Sequence, residues 1–360
     1  MPAAQNTSAR PNRITALFGT DVPVVLGPFG GVSSVELTAA VSGGGGLGSY
    51  GLYGYSAEAI LTTAAQLKKA TAKPFALNLW IPTGDETPSI PKEEFDHYVE
   101  TLKPYFDEVG LPLPEMPHRY LPDYDEQVAA VLEARPAVVS FVFGVPAPEL
   151  VEEAHRRGIV LVGTATTVAE AVALEAGGVD AVVASGMESG GHRVSFLKPA
   201  EESLIGTFAL VPQVADAVSI PVIAAGGIAD RRGYAAARAL GADAVQVGSA
   251  FLATRESAAV PAYRAVLHSP AASETVLTRV LSGRLARGIP NRVIGELSTT
   301  AGTAPFPVQN WLTGRFRPQA AAQGNTELMS LWAGQGTPLI RHDSAADVLA
   351  ELLSGGEILA

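Results

Sequence analysis

The octapeptide Gly186-Met187-Glu188-Ser189-Gly190-Gly191-His192-Arg193 sets a histidine behind two glycines, just after the apolar run Ala181-Val182-Val183-Ala184. Glycines at such a place bare the backbone to a flat cofactor or a phosphate, and a neutral imidazole is suited to abstracting a weakly acidic proton near neutral pH. His192 is therefore the candidate for proton transfer; a histidine merely hydrogen-bonded in a turn is the structural alternative. Two later segments, Ala224-Ala225-Gly226-Gly227-Ile228 and Gly241-Ala242-Asp243-Ala244-Val245-Gln246-Val247-Gly248-Ser249, have the pattern of phosphate-binding loops. Such loops lie at the carboxyl ends of the last strands of a (β/α)8 barrel. Together the three segments imply a phosphate-bearing cofactor.

The elements that must position these residues follow from short apolar runs alternating with helical patterns, which indicate parallel strands buried on both faces. Eight strands are expected, at 22–26, 47–49, 75–79, 138–143, 160–163, 181–184, 222–225 and 244–247. Helices are expected at 33–41, 57–70, 125–134, 147–157, 168–176, 204–217 and 231–240. Ser56 stands at an N-cap, and Thr167 precedes Glu170 in capping-box spacing; Gly158, Gly177 and Gly241 follow helix ends where a positive φ suits glycine. The rhythm breaks at 81–122, where prolines and acids cluster. A loop this long after the third strand is expected to form a lid with a helix near 95–105, or to be a surface excursion without a role. Residues 1–12 read as a disordered arm, 13–80 and 123–255 as the barrel, 81–122 as the insertion, and 256–360 as a mainly helical region packed at the barrel mouth.

Composition excludes several function classes. A net charge of −11, with no Lys or Arg run longer than two, offers no track for nucleic acid. The absence of cysteine removes disulfides, thiolate metal sites and a cysteine nucleophile, and fits a reducing compartment. No apolar run approaches the roughly 20 residues of a membrane helix, and the first dozen residues lack the apolar centre of a secretory signal. A cytoplasmic protein is expected. The remaining histidines carry little: His155 lies among Glu152, Glu153, Arg156 and Arg157 on a solvated helix face, His97 and His118 fall in the insertion, and His268 and His342 in the tail. No metal-ligand spacing is seen, so no catalytic metal is expected.

Taken in order with Pro23-Val24-Val25-Leu26-Gly27-Pro28-Phe29-Gly30-Gly31, Gly44-Gly45-Gly46-Leu47-Gly48, Phe75-Ala76-Leu77-Asn78-Leu79 and the segment 283–292, these motifs give the chain its likeness over roughly residues 14–340. It resembles the nitronate monooxygenase family, the FMN enzymes once called 2-nitropropane dioxygenases, and the related FMN-dependent enoyl reductases. Trp332-Ala333-Gly334-Gln335 also matches a common family segment, with no role derivable from the sequence.

The resemblance implies FMN. Flavin binding needs backbone N–H donors for the phosphate, a flat slot for the ring, and polar groups aimed at its heteroatoms. Gly226 and Gly227, with Gln246, Gly248 and Ser249, would hold the phosphate, unless these glycines only close tight turns. Gly27, Pro28 and Phe29 would lie against the ring, as Gly-Pro-Phe where many members have Ala-Pro-Met. Asn78, polar in an apolar strand, would bond the flavin or a neighbouring loop; Gly190 and Gly191 would approach the cofactor, and Ser185 stands where members often carry glutamine. Arg284 and Arg287 could face an anionic substrate or pair with surface acids, and Glu188 could orient a loop.

The resulting expectation is FMN-dependent oxidation of alkyl nitronates by dioxygen, with neutral nitroalkanes as a further substrate class and His192 as base or substrate-positioning residue. An NAD(P)H-dependent enoyl-thioester or quinone reductase on the same fold is the near alternative, and a noncatalytic phosphate-ligand-binding barrel the distant one. The expected partners are the small-molecule substrate and dioxygen, with neither nucleic acid nor membrane; a homodimer is left open.

Overall fold

Eight apolar runs lie side by side, all parallel, in a computed structural model that describes residues 12–86, 90–300 and 302–355. They are β1 (Val24–Leu26), β2 (Gly48–Gly51), β3 (Phe75–Trp80), β4 (Val138–Val142), β5 (Val160–Ala165), β6 (Ala181–Ser185), and, after a short β7 (Gly191–His192) outside the sheet, β8 (Val222–Ala225) and β9 (Ala244–Val247). Their order is β1-β9-β8-β6-β5-β4-β3-β2. The two edges meet where Leu26 N donates to Leu47 O and Leu47 N to Val24 O, each at 2.9 Å, so the sheet closes into a (β/α)8 barrel. The closure leaves the eight-stranded sheet without an open edge between β1 and β2.

Alternate side chains along each strand serve two cores. Val25, Ala76, Val138, Val162, Val183 and Ile223 point inward, while Leu26, Leu77, Phe141, Val182 and Val245 pack outward under the helices. Burial on both faces explains why these strands read as continuous apolar runs. Ile14 and Phe18 of the helix Arg13–Phe18 join the inner cluster beside the strands' first residues, closing the amino-terminal end. The expected arm lies outside the described residues except for Asn12, whose side chain accepts from Ile14 N at 2.9 Å and so caps that helix.

Ser56 and Thr167 cap their helices through Ala59 N and Glu170 N, both at 3.3 Å. Glu170, however, does not close a capping box. Its fully buried carboxylate accepts from Thr166 N at 2.7 Å and Phe196 N at 2.6 Å, anchoring the chain beyond His192. Gly158 and Gly241 have φ of 72° and 99°, but after the helix Val168–Ala176 the positive φ falls on Gly178 (88°), one residue past the expected Gly177. Gly177 continues the helical turn instead.

Within the segment 81–122 the helix is Lys92–Val109, longer than expected. It buries Phe95, Val99, Leu102, Tyr105, Phe106 and Val109 on one stripe, and Phe106 meets Phe316 of the helix Val308–Ala322 edge-on at 5.4 Å. The region after Ser249 is not wholly helical. Two strands of three residues, β10 (Val276–Thr278) and β11 (Ala286–Gly288), pair antiparallel, and β11 also pairs with β7. Among the described residues, no helix is long and apolar enough to cross a membrane.

Candidate active site

At the carboxyl ends of the strands opens a cavity of about 660 Å³, within the range of pockets that hold cofactor-sized ligands. The structure brings His192 and the residues expected at the cofactor to its wall: Gly27, Pro28 and Phe29 after β1, Asn78 in β3, Ser185 ending β6, Gly190 and Gly191, Gly226 and Gly227 after β8, and Gln246, Gly248 and Ser249 on and after β9.

β1, β9 and β8 are neighbours, so their three loops form one continuous backbone surface. Gly27 N donates to Val247 O at 2.9 Å, and a Cβ on Gly27 would stand 3.2 Å from Gly248 Cα. At Gly226 the protein itself forbids a side chain: φ is 107°, and a Cβ would lie 2.8 Å from both Ser189 Oγ and Thr207 Oγ1. Gly248 differs. Its φ is −103°, and a Cβ there would meet only the Phe29 ring, at 3.7 Å, beside the cavity. Packing alone does not require glycine at 248, and the position opens on the cavity.

The 185–193 loop is held rigidly. The Glu188 carboxylate accepts from Thr207 N at 2.9 Å and Thr207 Oγ1 at 2.9 Å, and Arg193, 2% exposed, donates to Gly186 O at 2.7 Å and to Ser185 O and Ser203 O. Arg287 Nε donates to Met187 O at 2.9 Å. Glu188 and Arg287 are thus positioning residues, and neither lines the cavity as a bare charge. Ser185 Oγ is 3.0 Å from Ser189 Oγ. Asn78 Nδ2 donates to Ser140 Oγ at 3.0 Å and Ser140 O at 3.2 Å, which fixes the amide's orientation and leaves Oδ1 as its acceptor on the cavity side.

His192 is positioned by the small sheet, with Ala286 opposite it in register. Its Nε2 is 2.9 Å from Ser282 Oγ, whose hydroxyl donates to Arg284 O at 2.9 Å. With that proton committed, Nε2–H donates to Ser282 and Nδ1 carries the lone pair. The ring lies between Trp80 and Trp332, at centroid distances of 5.0 and 5.6 Å. Burial, then the guanidinium groups of Arg284 and Arg317, push its pKa down to about 3. The imidazole is neutral.

Several wall residues escaped the sequence reading: Tyr53, Trp80, Asn310, Arg317 and Ser330. Tyr53 follows β2 and Trp80 ends β3, where a barrel places functional side chains, so position offered a signal for those two. The others come from the tail and gave none. Arg284 faces acids rather than the cavity. It ion-pairs with Asp85 and, at 3.1 Å, with Glu86, donates to Thr83 Oγ1 at 2.6 Å, and is sandwiched between Phe143 and Phe306. His97 and His118 are exposed and stand outside the cavity wall.

The tail segment Trp332-Ala333-Gly334-Gln335 acquires a place. Gly334 N donates to Ser249 Oγ and Gln335 N to Glu188 O, both at 2.9 Å. A Cβ on Gly190 would lie 2.6 Å from Gly334 N, and one on Gly336 2.7 Å from Gly227 O. The tail is therefore strapped across the loops after β6, β8 and β9, and the Ser249 hydroxyl keeps its proton free to donate. Among the described residues no group of three or more His, Asp and Glu is placed to hold a metal.

This arrangement matches known proteins along nearly its whole length. The family model described as Nitronate monooxygenase matches residues 11–355. A probable nitronate monooxygenase of Staphylococcus saprophyticus subsp. saprophyticus is 38% identical over 336 residues, covering 92% of this chain and 94% of that protein. The solved structure of a nitroalkane oxidase from Streptomyces ansochromogenes superposes with a TM-score of 0.87 at 36% identity, covering 97% of this chain and all of that one. FabK from Thermotoga maritima superposes with a TM-score of 0.76 at 29% identity, covering 98% and 97%. The chain belongs to the nitronate monooxygenase family of oxidoreductases.

Proposed function

We propose that the cavity binds FMN and that the enzyme oxidises alkyl nitronates with dioxygen, His192 positioning the nitronate rather than deprotonating a neutral nitroalkane. The observation that carries this reading is the pairing of a neutral His192 with a nearby guanidinium, Arg317, on one cavity wall. Such a wall favours an anion. An imidazole whose pKa is pushed to about 3 is a poor base for a carbon-bound proton, because general bases work best with a pKa near the operating pH. A nitronate arrives already deprotonated.

The residues fit the cofactor. Gly226, Gly227, Gly248 and the free Ser249 hydroxyl would receive the phosphate, the open face at Gly27, Pro28 and Phe29 the ring, and Asn78 Oδ1 a ring N–H. Bound there, FMN would supply the electron acceptor that dioxygen reoxidises. Trp80 and Trp332 pack against the His192 ring, so the imidazole would place the nitronate by shape, while the donor to the anion would come from Arg317, because the Nδ1 lone pair offers none.

Replacing His192 by Asn tests the assignment. With FMN retained, kcat/KM should fall on nitronates and neutral nitroalkanes by similar factors, and the parent enzyme should prefer nitronates. A loss of about 100- to 10,000-fold confined to neutral nitroalkanes would make His192 a general base instead.

A further inference from the structure

Four arginines crowd the barrel mouth, and three of them have their charge or their donors answered by the protein. Arg284 meets Asp85 and Glu86, Arg193 spends its donors on three loop carbonyls, and Arg287 serves Met187 O and Thr275 Oγ1. Arg317 does not fit that pattern. Its Nη1 donates to Ser330 Oγ at 3.0 Å, and its Nη2 to Asn310 Oδ1 at 2.9 Å and Asn310 O at 3.3 Å, all neutral oxygens. Its Nε, like that of Arg193, is sealed from solvent with no hydrogen-bond partner among the described residues; what sets Arg317 apart is that it lines the cavity and no carboxylate acts on its charge, whereas Glu188 acts on both Arg193 and Arg287. The residue is deeply embedded but keeps some accessible surface, as a residue on a cavity wall does.

A guanidinium withdrawn from water without a carboxylate is costly, and burial pulls its pKa down to about 10. Its support is nevertheless elaborate. Asn310, which fixes one Nη, is itself held by donating from Nδ2 to Tyr53 Oη at 2.8 Å, and Tyr53 packs on Trp80 at 4.3 Å. This is the construction expected of a cation held ready for a ligand: Nη2 is committed twice to Asn310 and Nε is sealed, so Nη1 keeps one uncommitted N–H for a charge-assisted bond to an oxyanion.

We infer that Arg317 is the oxyanion-anchoring residue of the substrate site, oriented by Asn310 and Ser330 to bind a planar oxyanion: the nitronate group or a carboxylate carried by the same substrate. The inference rests on the nitronate reading for its substrate, though not for its anion chemistry. It replaces Arg284 and Arg287 as the basic residues that meet substrate. An anion seated there would also offset one of the two positive charges that hold His192 neutral.

The test is calorimetric titration of the FMN-loaded enzyme with sodium nitrate and, separately, sodium acetate, using Arg317→Gln and Arg317→Lys, alongside KM for ethyl nitronate and for a nitronate bearing a carboxylate. Arg317→Gln should weaken anion binding by about 10- to 100-fold, the usual worth of hydrogen bonds to a charged group. Arg317→Lys, which keeps the charge but loses the position that Asn310 and Ser330 fix, should weaken it several-fold and serves if the Gln variant does not fold. A rise in KM for both nitronates assigns the nitronate group, and a rise for the carboxylated one alone assigns the carboxylate; either supports the anchor. Anion affinities and both KM values unchanged in the variants, or no anion binding by the parent enzyme, would overturn it. Arg317-dependent nitrate binding in an enzyme that does not oxidise nitronates would sink the reaction and leave the anchor standing.

Discussion

On one side of the cavity Gly27, Gly226, Gly227 and Gly248 present bare backbone from three adjacent strands, whereas the facing wall is built of side chains, among them Trp80, His192, Asn310, Arg317 and Trp332. The first wall is backbone alone, its glycines sitting directly after their barrel strands. The second gathers residues more than 200 positions apart, with the tail as its main supplier. The difference suggests that a backbone cradle suited to a common cofactor belongs to the barrel, while substrate choice belongs to the segments added to it.

Substitutions can break that division from either side, and the largest effect is expected on the glycine wall. Gly248→Val should abolish stable FMN retention while the protein still folds, because the new side chain has room against the protein but stands in the cavity. Full flavin occupancy in a folded Gly248→Val protein would remove the cradle assignment. Gly226→Ala is the contrasting case. It forces an L side chain to φ of 107° against Ser189 and Thr207, so it should lose folding stability along with flavin, by about 1–3 kcal/mol in a denaturant melt.

The two arginines nearest His192 sharpen the comparison at the next level. Arg284→Gln takes a buried guanidinium from between the Phe143 and Phe306 rings and from the partly exposed Asp85 and Glu86, so unfolding free energy should drop by about 1–2 kcal/mol. Arg317→Gln removes a cation with no carboxylate to leave behind, so it should leave the melting temperature unchanged or raise it while anion affinity falls. Equal melting shifts in the two variants would erase the distinction.

Acid brings out a smaller effect. His192 has a folded pKa depressed to about 3, so between its unfolded value near 6.5 and about 3 the unfolded chain holds a proton that the folded chain refuses. Stability is therefore lost as pH falls through that window. His192→Asn should reduce the loss between pH 7 and pH 5 by about 1–2 kcal/mol in thermal or urea melts. Identical pH slopes in parent and variant would show that the imidazole is not held neutral.

Much of the barrel is legible in the sequence because each parallel strand is buried on both faces and shows as an apolar run; the eight strands form where the runs stand, within a few residues. The glycine loops are legible for the same local reason. β10 and β11 are not, since three residues are too few to display a period, yet β11 is what places His192. Arg317 hides because nothing local in Arg315-Phe316-Arg317 separates it from Arg315, two positions earlier. Arg315 does lie exposed over Trp311, and only the packing of Val308–Ala322 above the barrel turns Arg317 to the cavity. Arg284 misleads in the opposite sense: its glycine-flanked loop suggests substrate, but acids from the segment 81–122, which no local pattern connects to it, claim its charge.

The most direct test of the whole account is anaerobic mixing of the purified, flavin-loaded enzyme with ethyl nitronate in one syringe and with NADH or NADPH in another, while the visible absorption of the flavin is followed. The account predicts that nitronate bleaches the flavin within the turnover time, that admitting dioxygen restores the colour, and that the nicotinamides act far more slowly. Bleaching by a nicotinamide with no response to nitronate would contradict it and make the enzyme a reductase; a protein that binds no FMN would contradict it outright.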